Sequence, residues 1–340
     1  MNFAMDTEHT IDIALVTYNR AEYLRNTLDA LLSAESPVRN CAITILDNQS
    51  TDATSAVIGE FRKTHSNITH IVNRFNVGGN ANIAKAMECY GNTPYHWILC
   101  DDDVYDWSGW PDVEEAMLRG EKLICVGDRY LPLDAKGRAD PARQLQQMTF
   151  LPSIIYGPGT ITDTDMRNAY ESTFALFQHL APVVAHLNHG GSVYVAKRGI
   201  VRPGEYGNDI SYTRGCAKDE VFARGRTMTL AVGFANLTLN IKDRRLSKRS
   251  FRALVFGPQM GALGFFGEIF FRLRGVDGAS AFRDVMNQSP LWAKFILVPL
   301  RLIQNSPLYY LIASKWIYAK ARRLTDWINF NARTRLTGRR

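Results

Sequence analysis

A chain of 340 residues, 46% hydrophobic and 21% charged, has room for one large domain plus an accessory segment, and its composition excludes a disordered protein. The net charge of +7 is unevenly spread: residues 242–340 carry 19 Lys and Arg against 5 Asp and Glu, whereas residues 1–241 carry 21 against 28. The acidic first part argues against a nucleic-acid groove there, and the basic last part calls for anionic surroundings.

In chain order, IDIALVT (11–17) reads as a short β-branched strand, and the segment after it places Leu24, Leu28, Leu31 and Leu32 on one helical face. CAITILD (41–47) predicts a second strand, and STDATSAVIGEFRK a helix opened by N-cap residue types. THIVN (69–73) predicts a third strand, GGNANIAKAMECY a helix with a glycine-rich start, YHWILC (95–100) a fourth strand and EKLICVG (121–127) a fifth. Alternating strands and helices predict an α/β fold, a Rossmann-like and mostly parallel sheet flanked by helices. The middle, about 131–225, is expected to be loops and short strands, with GGSVYVAKR (190–198) as one of them. From about 246 the chain turns aromatic, apolar and basic, predicting a C-terminal α-helical, basic amphipathic segment. Its uncharged run Ala253–Gly267 is too short to span a bilayer, so contact with the membrane surface is the expectation. The domain expectation is therefore 1–245, with halves of about 10–130 and 131–245, followed by 246–340.

Cys41, Cys89, Cys100, Cys125 and Cys216 are scattered with no CxxC pair, which argues against a structural zinc site or a disulfide framework. The first residues show no basic stretch leading into a long apolar run, so no secretory signal is expected, and a reducing cytoplasm is.

Ligands of such sheets bind at the carboxyl ends of the strands, and the polar clusters of this sequence sit there. Thr17, Tyr18 and Arg20 follow the first strand, Asp47 ends the second, and Asn76, Gly78 and Gly79 link the third strand to its helix. The glycines allow close backbone approach, and a helix start favours phosphate. Asp101, Asp102 and Asp103 end the fourth strand, where three like charges call for a cation. Hard carboxylate oxygens suit Mg²⁺ or Mn²⁺, usually together with substrate phosphates. Each piece alone also reads as a turn, an Asx-turn or a helix cap. His189, beside glycines, reads as a turn residue more readily than as a ligand.

The stretches IALVTYNR, LDNQSTDAT, NVGGNANIAKA and WILCDDDV, in this order, resemble the nucleotide-sugar-binding half of family-two glycosyltransferases of the A-type fold. The resemblance covers about residues 10–225 and is most specific in the first 105. It implies transfer of a sugar, with inversion, from a nucleotide-diphosphate donor (UDP favoured) to a glycan or lipid-linked acceptor, assisted by Mg²⁺ or Mn²⁺. By position it assigns Thr17, Tyr18 and Arg20 to the nucleotide pocket and Asp47 to the base. Asp101 would meet the ribose, and Asp103 with Asp101 the metal, with Asp102 beside them. The general base falls in GCAKDEVFARG, as Asp219 or, second, Glu220. A non-catalytic nucleotide-binding module and a metal-dependent nucleotidyltransferase are the alternatives. The complete set of acidic residues tells against the first. The absence of a glycine-rich basic loop after the first strand tells against the second. An oligomer is compatible with the sequence.

Overall fold

The computed structural model describes residues 7–127, 140–171, 177–204, 230–257, 261–272 and 275–306. Two compact units divide the chain, Met1–Asp140 with Gln147–Thr173 and Gln178–Lys218, and Pro141–Gln146 with Phe174–Phe177 and Asp219–Arg340.

In the first unit β1 (Ile11–Thr17), α1 (Ala21–Leu32), β2 (Ile43–Asp47), α2 (Thr54–Arg62), β3 (Ile68–Val72), α3 (Gly79–Glu88) and β4 (Tyr95–Cys100) alternate as the pattern predicts. Next in the chain come β5 (Asp103–Tyr105), α4 (Trp110–Leu118), β6 (Leu123–Cys125), α5 (Pro141–Met148, of which Pro141–Gln146 is counted with the second unit), β7 (Ile154–Tyr156), α6 (Asp163–Glu171), α7 (Ala181–Asn188), β8 (Tyr194–Val195) and β9 (Val201–Pro203). The seven-stranded sheet has the order β3-β2-β1-β4-β7-β6-β8. β1 to β4 pair in parallel, and β7 runs antiparallel to both β4 and β6. This is the mostly parallel α/β sheet that the sequence predicts.

Residues on β1, β2 and β4 are apolar at most positions because helices cover both faces of a parallel sheet. Ile13, Leu15, Ile43, Ile45, Trp97 and Leu99 meet Leu24, Leu28 and Leu31 of α1 in one core. Trp97, fully buried, donates its indole N–H to the Pro152 carbonyl at 2.7 Å. Its ring meets Tyr105, Trp107 and Trp110 edge-on or tilted, and Tyr105 stacks on Trp107 at 5.1 Å. This aromatic cluster anchors both sides of the turn that carries the three aspartates.

One expectation needs correction. The middle segment contains three helices, α5, α6 and α7, rather than only loops and short strands. They are only 8 or 9 residues long, so that an apolar stripe such as Ala142, Leu145 and Met148 of α5 runs for barely two turns. α6 does carry a readable start. Thr162 N donates to Asp165 Oδ2 and Asp165 N to Thr162 Oγ1, a reciprocal cap satisfying N–H groups that the first turn leaves free. α8 (Leu230–Leu239) belongs to the second unit, ahead of residue 246, because a helix apolar all round needs helices about it. It packs with α9 (Arg244–Val255) and α11 (Gly275–Gln288); α10 (Gly261–Arg272) and α12 (Leu291–Gln304) complete the described part of this unit. Ser247 Oγ donates to the Thr238 carbonyl, and Gln288 Nε2 donates to Ser247 Oγ, so these buried polar groups are paired. Among the described residues no helix is long and apolar enough to cross a membrane.

Candidate active site

Strand register brings the polar strand ends together. Thr17 lies opposite Asp47 across β1 and β2, and Val16 opposite Cys100 across β1 and β4. The chain turns at Asp101 and Asp102, and Asp103 then enters β5, paired with Pro203 of β9. Because the turn interrupts the strand's alternation, the three carboxylates point to different partners.

Asp101 faces β1 and α1. Its Oδ2 accepts from Thr17 Oγ1 at 2.7 Å, its Oδ1 from Arg20 at 3.0 Å, and its carbonyl from Thr27 Oγ1 at 2.9 Å. The same guanidinium nitrogen reaches Asp102 Oδ2 at 2.7 Å. Burial pushes the Asp101 carboxyl up to about 6 even with Arg20 drawing it down. For Arg20, burial alone would lower the guanidinium's pKa, and Asp101 and Asp102 more than reverse this.

Asp103 is buried, and its Oδ2 accepts the Cys100 N–H at 3.2 Å. Burial first and Asp102 second push its carboxyl well above the ordinary range. Ligand atoms of Cys100, Asp102 and Asp103 lie within 4.8 Å of one another. Two carboxylates, those of Asp102 and Asp103, converge here and fit a divalent cation, whereas burial pushes the Cys100 thiol well above its ordinary range and keeps it protonated beside them. Both Asp101 oxygens are engaged by Thr17 and Arg20, and Arg20 also holds Asp102. Cys100 escaped the sequence reading, which weighed cysteines only as pairs; its place directly before the aspartates at a strand end was the available signal.

Asp47 ends β2 with no exposed surface. Its Oδ1 accepts the Ser50 N–H at 2.7 Å, and His70 Nε2 stands 3.4 Å from Oδ2, near enough for attraction but not aligned as a hydrogen bond. Burial opposes its ionisation, yet His70 and Ser50 outweigh this and hold the carboxyl below the usual range. The structure therefore gives Asp47 the Asx-turn position under the β2–α2 loop. That loop is tied to the β1–α1 loop: Asn19 N donates to Ser50 Oγ, Thr51 N to Asn19 Oδ1, and Ala21 N to Asp52 Oδ2. Tyr18 is half-buried between Thr17 and Asn19.

A chain of amides shapes the β3–α3 loop. Asn73 Nδ2 donates to the side-chain oxygens of Asn48 and Asn82, Asn48 Nδ2 to Asn76 Oδ1, and Lys85 Nζ to Asn73 Oδ1. Asn76 Oδ1 also accepts the Gly78 N–H, fixing Gly78 at φ 83°, where side chains are rarely tolerated. Gly78 caps α3 without a side chain, and the space above Gly78 and Gly79 is open. Of this network only Asn76 was expected from the sequence.

His189 closes α7, its Nδ1 bonding the Ala185 carbonyl, which is the turn role. Asp219 and Glu220 lie outside the described residues.

Residues 12–183 match the family model described as glycosyl transferase family 2. Over 94 residues the chain is 33% identical to the abequosyltransferase RfbV of Salmonella typhimurium, covering 27% of this chain and 28% of that protein. Over 98 residues it is 31% identical to an uncharacterized protein of Mycobacterium tuberculosis, covering 28% of this chain and 27% of that protein. The matches thus span little more than a quarter of these relatives. In structure the chain is similar to S. aureus TarS 1–349 crystallised with UDP-GlcNAc, with a TM-score of 0.55 at 11% identity, covering 97% of this chain and 92% of that one. A second crystal structure of S. aureus TarS gives a TM-score of 0.55 at 12% identity, covering 87% of this chain and 53% of that one. At such identities the likeness speaks for the fold.

Proposed function

The chain belongs to glycosyl transferase family 2, and from that premise we propose that it moves a sugar from a nucleotide-diphosphate donor, UDP-linked by preference, to a hydroxyl of a lipid-linked or cell-surface glycan. Lipopolysaccharide, capsule or another envelope polysaccharide is the class of product. The observation that carries the reading is the convergence of Thr17, Arg20 and Asp101 with the Cys100, Asp102 and Asp103 cluster at the carboxyl ends of β1 and β4. The fold shared with TarS, a protein crystallised with UDP-GlcNAc, supports it.

In this reading Thr17 and Arg20 hold the Asp101 carboxylate in one orientation, from which it accepts hydrogen bonds from the donor's ribose. Tyr18 borders the nucleotide, and the open backbone at Gly78 and Gly79 admits the donor closely at the start of α3. Asp47 acts from beneath: it shapes the loop against which the base rests, and reaches the base itself only if that loop shifts. Asp102 and Asp103, with Cys100 beside them, would hold Mg²⁺ or Mn²⁺. Such an ion, when bound, neutralises charge on the departing diphosphate. Asp219, with Glu220 as second choice, takes the proton of the acceptor hydroxyl. The acceptor oxygen then bonds to the anomeric carbon from the side opposite the diphosphate, whose own bond to that carbon breaks, and the configuration inverts.

The test is a thermal-shift series with UDP-, GDP-, dTDP- and CMP-linked sugars, each with and without Mn²⁺, since ligands that bind only the folded state raise its melting temperature. A metal-dependent rise with one nucleotide is expected. No rise with any donor would overturn the reading. Asp103→Ala should remove the metal-dependent part, whereas Asp219→Asn should keep the rise and stop transfer.

A further inference from the structure

The helix α12 lies against its own unit by its least apolar side. Only Ala293, Leu297 and Gln304 are buried, and Gln304 Nε2 donates to the Ile269 and Phe270 carbonyls of α10. Leu291, Phe295 and Leu302, by contrast, are 71%, 73% and 68% exposed, and Trp292, Ile296 and Val298 are exposed with them. At 3.6 residues per turn these six positions fall on one continuous face of about 160°. Lys294 and Arg301, seven residues apart, share one flank of it, between the exposed and buried sides. Arg301 is held there, stacked 5.2 Å over Phe282 and bonded to Gln304 Oε1. An apolar face of this extent is not left to water without use.

The surroundings are basic. α9 buries Ser247, Ser250, Phe251, Leu254 and Val255, and its outward side carries Arg244, Arg245, Arg249 and Arg252 with no acidic residue inside the helix. The two helices meet at their ends, where Phe256, just after α9, packs against Trp292 with ring centroids 4.9 Å apart. The sequence beyond the described residues, 307–340, adds eight Lys and Arg against one Asp. An apolar face flanked by cations and joined to a second cationic helix has the chemistry of a helix lying in a bilayer interface. Its apolar side enters the acyl boundary while Lys and Arg reach anionic head groups.

We propose that the exposed face of α12, with the arginines of α9, docks this protein on the surface of an anionic lipid bilayer. The proposal rests on the second unit alone, independent of the donor site. Flotation of the full chain with phosphatidylcholine vesicles, with and without phosphatidylglycerol, tests it. Binding to the phosphatidylglycerol vesicles is expected, weakening as salt rises, and Phe295→Ser with Leu302→Ser should reduce it about tenfold or more at an unchanged melting temperature. Arg244→Glu with Arg245→Glu should abolish the preference for phosphatidylglycerol while leaving donor-induced thermal shifts intact. No binding by the unaltered chain, or equal binding by the serine variant, would overturn the proposal. It would also be overturned if the face proved to pair two copies of this chain, seen as a dimer without vesicles that the serine variant turns into a monomer.

Discussion

The turn after β4 and the helix α12 hold the same kinds of residue in opposite ways. At the turn, Trp97, Tyr105, Trp107 and Trp110 pack on one another inside the first unit, and the charged groups above them are locked by named partners. On α12, Leu291, Phe295 and Leu302 face outward, and the polar Gln304 is buried. Aromatic content alone therefore says little about role; what matters is which side of the element its neighbours cover. The first arrangement fixes carboxylates for chemistry, and the second keeps an apolar face available.

The comparison breaks most readily at Trp97. Trp97→Ala removes a fully buried ring, its bond to the Pro152 carbonyl and three ring contacts, and should cost about 3–5 kcal/mol in urea unfolding. A smaller loss than about 1 kcal/mol would mean that the cluster does not anchor the turn.

Next in size is a pH effect in the same unit. Burial lowers His179 from 6.5 to about 4, against a hydrogen bond to the Met148 carbonyl. The folded state thus refuses a proton that the unfolded chain accepts. Stability is complete above about 6.5 and falls as the pH drops towards about 4, by on the order of 3 kcal/mol for a shift of this size. His179→Gln should flatten the melting temperature over this window relative to the unaltered protein.

Arg20→Ala leaves Asp101 and Asp102 without their shared cation. Because Arg20 is itself about a third exposed, the expected loss is about 1–2 kcal/mol rather than that of a fully buried pair. The substitution should also weaken donor binding in titration calorimetry more than Thr17→Val does. The smallest effect sharpens the contrast: Phe295→Ser on α12 should change unfolding stability by no more than about 0.5 kcal/mol, since the ring touches water already.

Much of the first unit was legible because periodicity reports it. Continuous apolar runs at 11–17 and 95–100 and the leucine spacing of α1 predict elements that the structure contains. α5 to α7 were not legible as helices, being too short for a stripe to emerge, although the Thr162 to Asp165 spacing was a fair cap signal. In the site, the sequence pointed to Thr17, Arg20 and the three aspartates, and the structure brings these together. It did not point to Cys100, or to the Asn48, Asn73 and Asn82 relay, because amide partners 9 to 28 residues apart leave no local pattern.

By itself the sequence determined the alternation of strand and helix, the gathering of polar residues where strands stop, and the charge contrast between the two ends of the chain. These follow from local spacing and composition, which act before any long-range contact forms. Only the tertiary structure decided that Arg20 holds both Asp101 and Asp102 while Asp103 turns to the Cys100 N–H, since a turn releases side chains from the strand's two-residue period. Tertiary packing likewise decided that α12 buries Ala293 and Gln304 and leaves Phe295 outside, because a helical period defines faces but not which of them a neighbour will cover.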